Sequence, residues 1–376
     1  MNELAVLSEA RPAPLRVALV GYGGAGKAFH APVIASVPGL DLACIVSSRP
    51  AAVRADWPDM HVVPTPALAF EDPTIDLVVI ATTNESHHPL ARAALQAGKH
   101  VLVDKPCTVT LAETEDLLAL ARRRERVLTV YQSRRHDADF LSLREVLRTQ
   151  KLGRVVHFES HFDRFRPAVL NRWRDKDIAG SGLWLDLGSH LVDQCLQLFG
   201  CPDDILLDTA LQRDACEVHD YFHAQLRYDT VLPGFRALLH ASSLASAGTP
   251  RFLVHGTAGS FVKYGFDSQE DALKAGQRLP AHGTVSLWGI DGSPGEIVTL
   301  DGSERRSMDV PATAGNYGQY YANLRDCLLS RRAGEAVDPD VSPRDVMQVM
   351  ALLSRGEQSA RERREVSTAD LRGRAN

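Results

Sequence analysis

Short apolar runs recur through the first third of the chain, each closed by a polar or glycine-rich turn. Residues 15–20, 42–46, 76–81, 101–103 and 127–131 read as buried strands, since a strand covered on both faces needs a nearly unbroken apolar run. Helical patterns separate them: one after Gly26, one opened by His87-His88-Pro89 and stopped by Gly98, and one over 111–124. Strands alternating with helices predict a doubly wound parallel sheet, here a Rossmann domain over residues 1–135.

Past Arg135 the period changes. A helix is expected over 139–150, followed by a strand over 154–163 that puts Val156, Phe158 and Phe162 on one face. His157, Glu159, His161 and Asp163 fall on the other, which is the two-residue period of a half-buried strand. Further strands at 217–228, 234–242, 251–256 and 260–264 follow without crossover helices. Residues 136–376 therefore read as a second domain, an open and mainly antiparallel sheet flanked by helices. Helices are expected near 317–324 and 341–357, the latter with Ser342 as cap and Pro343 in its first turn. The Gly- and Ser-rich stretch 272–310 gives no assignable pattern.

Chemistry gathers where the strands end. Gly21, Gly23, Gly24, Ala25 and Gly26 carry G-x-G-x-x-G between a strand and a helix, the arrangement that seats a dinucleotide pyrophosphate. At the end of the second strand an NAD site would place a carboxylate on the ribose 2′-hydroxyl. Ser47, Ser48 and Arg49 stand there instead and suit a 2′-phosphate. NADP(H) is the expected cofactor, with NAD possible. Thr82, Asn84 and His87 follow the third strand on the same side and are expected to border the cofactor. The next strand stops on Asp104-Lys105-Pro106, which puts an ammonium where open α/β sheets hold ligands, and Asp104 and Lys105 are also expected to contact the cofactor. In the second domain Asp186 and His190 are four apart, with Asp193 three further, so all three share a helical face. Lys105, Asp186 and His190 are the expected catalytic set.

Composition narrows the classes. With 24% charged residues and a net charge of -5 there is no electrostatic footprint for nucleic acid. No apolar run reaches a membrane span, and the first fourteen residues, with Glu3 and Glu9, do not resemble a secretory signal. The six cysteines lack CxxC spacing and read as reduced thiols, so a cytoplasmic protein is expected. His157, His161, His219 and His223 read as a polar sheet face suited to subunit contact. No metal is expected, because no supporting cysteine or carboxylate spacing marks a zinc site.

With these residues in view, the chain resembles the glucose–fructose oxidoreductase/inositol dehydrogenase/MocA family over essentially its whole length. Within the family it is most similar to the NADP-dependent scyllo-inositol dehydrogenases. The resemblance rests on the G-x-G-x-x-G, Asp104-Lys105-Pro106, Phe29-His30-Ala31-Pro32, Arg134-Arg135 and the run from Phe158 to Phe165. Arg172-Trp173-Arg174, Asp186-Leu187-Gly188-Ser189-His190 and Val254-His255-Gly256 continue it. Asp104 departs from the commoner Glu, and Thr83 from a frequent proline. The resemblance implies hydride exchange between a nicotinamide and a secondary alcohol of a cyclic polyol or sugar. It also implies a homo-oligomer, dimer or tetramer, built through the C-terminal sheet. His190 is expected as acid–base group, Lys105 as hydrogen-bond donor to the reacting oxygen, and Asp186 as the group that orients His190 or a nearby hydroxyl. Asn171, Arg172, Trp173 and Tyr264 are candidate substrate-pocket residues. Alternatives are the same chemistry on another keto-sugar or anhydro-sugar, or a catalytically silent NADP(H) or sugar sensor.

Overall fold

The computed structural model describes residues 13–372 except 171, 172, 285, 287 and 312, and of Trp173 only the backbone. The first sheet contains β1 (Leu15–Val20), β2 (Leu40–Val46), β3 (Val62–Val63), β4 (Leu77–Ile80), β5 (His100–Val103) and β6 (Leu128–Val130). All its pairings are parallel and the order is β3-β2-β1-β4-β5-β6. The order reverses between β1 and β4, so the strand ends splay there and open a crevice. Every residue of β4 is buried, which is why it reads as one apolar run.

The second sheet contains β7 (Val155–His161), β8 (Asp204–Ala210), β9 (Tyr221–Arg227), β10 (Arg236–Ser242), β11 (Phe252–Gly256) and β12 (Ser260–Lys263). β13 (Gly295–Asp301), β14 (Glu304–Val310) and β15 (Val366–Ser367) complete it. The order is β14-β13-β12-β11-β7-β10-β9-β8-β15, and only β7 and β10 pair in parallel. Phe158, Phe222, Leu226, Leu239 and Phe252 are fully buried on its covered face, beneath the helices Ser189–Phe199 and Pro343–Glu362. Trp184 lies in this layer and donates its indole N–H to the Leu353 carbonyl at 3.0 Å. The longer helix starts with the expected cap: the Ser342 hydroxyl accepts from the Asp345 amide while Asp345 reaches back.

Several expectations change. The helix predicted from His87 starts at Asn84, because Thr83 is already extended and takes the cap position. Pro89 then falls in its second turn, and His88 faces Asp116 of the helix Leu111–Arg123 at 2.9 Å, away from the crevice. The strand expected from residue 217 begins only at Tyr221, because Asp220 clasps Arg213 (2.7 Å) and the Gln212 amide (2.7 Å) in a tight loop. The unassigned stretch 272–310 holds all of β13 and β14, and the helix Gln269–Lys274 leads into it. β14 is exposed along nearly its whole length, so no apolar signal marks it.

The 135/136 boundary falls in the short helix Ser133–His136. The later helix Tyr317–Arg332 nevertheless returns to the first sheet. Tyr321 meets His30 at 2.7 Å, Arg325 donates to the Pro38 carbonyl at 2.6 Å, and Arg332 reaches Asp76 at 2.9 Å. All six cysteines are free thiols, and no helix among the described residues is long and apolar enough to cross a membrane.

Candidate active site

The glycine turn is shaped by close approach. Gly21 has φ of +99°, and a Cβ there would lie 2.6 Å from the Ala81 carbonyl oxygen. A Cβ on Gly26 would lie 2.1 Å from the Gly21 carbonyl, so only hydrogen fits where the helical turn folds against the strand end. Gly23 and Gly24 are different: a Cβ on either meets nothing within 4 Å. Their bare backbone faces a cleft of about 1050 Å³ that Ala25, Arg49, Asp104 and Lys105 also line. This is the room a pyrophosphate against backbone amides requires, so the residues fit a dinucleotide.

The other cofactor-side residues take varied positions. Ser47 accepts from the Arg49 amide at 3.1 Å, Ser48 is exposed beside it, and Arg49 lines the cleft. Thr82 lies behind the glycine turn and accepts from Ser86 at 2.6 Å. Asn84 bridges to the second domain by donating to the Gly180 carbonyl at 2.7 Å. His87 is fully buried and meets the Pro106 carbonyl at 3.0 Å, so it braces the turn after β5.

Lys105 follows β5 directly, and the Lys105–Pro106 peptide is cis. Its ammonium crosses to the second domain and donates to the Asp186 carboxylate (2.6 Å) and to the Asp186 carbonyl (2.6 Å). Asp186 lies in a π-helical turn, Trp184–Gly188, that leads into the helix carrying His190. Burial alone would raise the Asp186 carboxyl, but the Lys105 and Arg174 charges overcome it and hold it far below the usual range. The same logic acts on Asp104, where burial is outweighed by His30 and Lys105 and the pKa falls to about 2. His190 is pushed the other way: burial, then the cations of Lys105 and Arg134, drive its pKa well below 6.5. The imidazole is neutral at neutral pH and can accept a proton.

Asp186 is not the partner of His190 in this arrangement. His190 Nδ1 lies 3.3 Å from Gln132 Oε1, while Asp186 is held by Lys105 and has Arg174 at 3.5 Å. A carbonyl oxygen only accepts, so Nδ1 carries the hydrogen and Nε2 keeps its lone pair. Asp193, the third residue of the expected face, is buried against Arg135 at 2.6 Å and serves structure.

The remaining wall is cationic. Arg134 stacks over Phe162 with its guanidinium carbon 4.5 Å from the ring centroid and pairs with Asp137 and Glu270. Arg164 and Arg174 also line the cleft, as does His219, which takes the Trp184 amide at 3.2 Å. Gln132 and Glu270 carried no motif, and nothing in the sequence marked them. Of the expected substrate residues, Tyr264 is 52% exposed and is not among the cleft-lining residues. Asn171 and Arg172 lie outside the described residues, as does the Trp173 side chain.

Comparison with known proteins follows the same division. Residues 15–132 match the NAD-binding Rossmann domain of the GFO_IDH_MocA oxidoreductase family, and residues 140–262 match the GFO/IDH/MocA C-terminal domain. The chain belongs to the Gfo/Idh/MocA oxidoreductase family. Within that family it is 48% identical to the uncharacterized oxidoreductase YdgJ of Escherichia coli, over 93% of this chain and 97% of that protein. It is 34% identical to the scyllo-inositol 2-dehydrogenase (NADP(+)) IolW of Bacillus subtilis, over 94% and 95%. The solved structure of the putative oxidoreductase YPO2259 from Yersinia pestis superposes with a TM-score of 0.87 at 44% identity, covering 94% of this chain and 97% of the other. The chain is thus an oxidoreductase with a nicotinamide-dinucleotide domain.

Proposed function

We propose that this protein is an NADP(H)-dependent oxidoreductase that interconverts a secondary alcohol of a cyclic polyol or sugar, of the scyllo-inositol type, with its ketone. One observation carries the reading: Lys105 from the first domain and Asp186 and His190 from the second line one cleft with the open glycine turn. The name of IolW, a relative over nearly the full length, supports the substrate class and the choice of NADP. Arg49 in the cleft, with no carboxylate at the end of β2, supports a 2′-phosphate. We assign self-association to the open face of the nine-stranded sheet, and a cytoplasmic location to the whole.

When bound, the nicotinamide supplies the hydride acceptor or donor. The chain handles the proton and the oxygen. In oxidation His190 takes the hydroxyl proton at Nε2, and in reduction it returns it. Lys105 donates a hydrogen bond to the reacting oxygen and stabilises negative charge as it develops. The Asp186 carboxylate anchors that ammonium in the cleft through their 2.6 Å contact.

The test is consumption of NADPH, and of NADH in parallel, with inosose, keto-sugars and an anhydro-sugar. Turnover with inosose and preference for NADPH are expected; consumption with none of the carbonyls would mark a silent binder. Lys105→Ala and His190→Ala should each lose about 10²–10⁴ in turnover while NADPH binding, read by fluorescence, persists. Wild-type turnover in either variant removes that residue from the mechanism.

A further inference from the structure

The open face of the second sheet carries a cluster remote in role from the cleft. β7 and β10 run side by side with His161 directly opposite His240. Asp163, two residues beyond His161, turns back under both rings. Its carboxylate lies 2.8 Å from His240 Nδ1 and 3.4 Å from His161 Nδ1. One donor atom from each of the three residues fits within 4.8 Å of the other two. We propose that His161, Asp163 and His240 form a binding site for a divalent transition-metal ion of the zinc type.

Three features favour a site over an ordinary polar patch. First, the hydrogen bonds of the cluster leave one buried nitrogen unused. His161 Nε2 is taken by Glu159 at 2.9 Å, and Glu159 also takes His157 at 2.7 Å. The other ring nitrogen, His161 Nδ1, is buried, points toward Asp163 and makes no hydrogen bond among the described residues. A histidine with one nitrogen fixed by a carboxylate and the other buried and facing a second carboxylate, which an ion could displace a proton to bridge, has the outer-shell pattern of a metal ligand. Second, the Asp163 carboxylate is itself fixed, by the Ser242 amide (2.9 Å) and the Thr249 hydroxyl (2.9 Å). Third, the spacing suits the ion. Tetrahedral zinc with bonds of about 2.0–2.1 Å sets its donors about 3.3 Å apart. The 3.4 Å separation of His161 and Asp163 already matches this, while His240 must back off from Asp163 by about half an ångström and close on His161, whose donor lies within 4.8 Å.

Two imidazoles and one carboxylate select zinc, cobalt or nickel over calcium and magnesium, which take oxygen donors. Three protein ligands leave the fourth position to water. The ion would tie the end of β7 to β10 one residue before Arg164, which lines the cleft. The expectation of no metal rested on the absence of carboxylate spacing in the sequence. Asp163 supplies the carboxylate, and His240 joins from a strand nearly eighty residues away.

The test uses the full chain, stripped with chelator and dialysed, then titrated with Zn²⁺ against a chromophoric competitor. One equivalent per chain with micromolar or tighter affinity is expected. His161→Ala and His240→Ala should each abolish it. Glu159→Gln should weaken it about 10–100-fold, and His255→Ala on the same face should leave it unchanged. Because a ligand variant can misfold, zinc-edge absorption spectroscopy of the 1:1 wild-type complex gives a second readout: two imidazoles and a near oxygen shell. Binding below one-fifth of an equivalent, binding that survives both histidine variants, or a sulfur shell would overturn the proposal.

Discussion

In β4 all four residues are buried, and neighbours along it serve different cores: Val79 packs with the layer continuous with the second domain, Val78 with the layer on the opposite face. In β9 burial alternates residue by residue, with Phe222, Ala224 and Leu226 inside and Tyr221, His223, Gln225 and Arg227 on the open side. The first sheet therefore has no face left for chemistry, and its reactive groups stand only at strand ends, as Asp104 and Lys105 do after β5. The second sheet keeps one face polar, and that face gathers the histidines and carboxylates. Which side chains a sheet can lend to function follows from how many of its faces are sealed.

The sharpest way to break this contrast is to truncate neighbours in each sheet and measure unfolding in urea. Phe222→Ala, from the sealed side of β9, should cost about 3–5 kcal/mol. Gln225→Ala, from the open side of the same strand, should stay within about 0.5 kcal/mol when measured at a dilution that keeps the chain monomeric. A large loss at Gln225 would mean that the open face is covered and packed.

In β4 the alternation should vanish. Val78→Ala and Val79→Ala should each cost about 2 kcal/mol, because both faces are closed and either change leaves a cavity. A difference of more than about 1.5 kcal/mol between them would show that one of the two layers packs loosely.

The same contrast explains what the sequence disclosed. The parallel strands were legible because sealing both faces demands unbroken apolar runs, and the glycine turn because close approach admits only hydrogen at Gly26. β7 showed its alternation plainly, since Phe158 and Phe162 face a packed core. β14 was invisible: paired on one edge and open to water, it carries Glu304, Arg305, Arg306 and Ser307 with no apolar period. Lys105, Asp186 and His190 announced themselves through motif position. Gln132, which holds His190, and Glu270, which holds Arg134, could not, because each acquires meaning only from a residue distant in sequence. The pairing of Asp186 with Lys105, in place of His190, also depends on the approach of the two domains and on no local spacing.

The last effect concerns a histidine that the sealed sheet keeps neutral. His100 opens β5, and its Nδ1 accepts from the Val127 amide at 3.0 Å, which requires the lone pair. Burial, then the cations of Arg126 and Arg331, lower its pKa from 6.5 to about 4. Between pH 6.5 and 4 the unfolded chain therefore binds a proton at this position that the folded chain refuses, so acidification favours unfolding. Above 6.5 both states are neutral, and below about 4 both are protonated, so the contribution changes only inside that window. The slope from one such group is at most about 1.4 kcal/mol per pH unit. His100→Gln keeps an acceptor for the Val127 amide and removes the titration. Urea unfolding at pH 7.5, 6 and 5 should show the wild type losing stability faster than the variant, while the carboxylate contributions, common to both, cancel. Parallel stability curves for the two proteins would mean that His100 titrates normally, and that the edge of β5 is wetter than its packing implies.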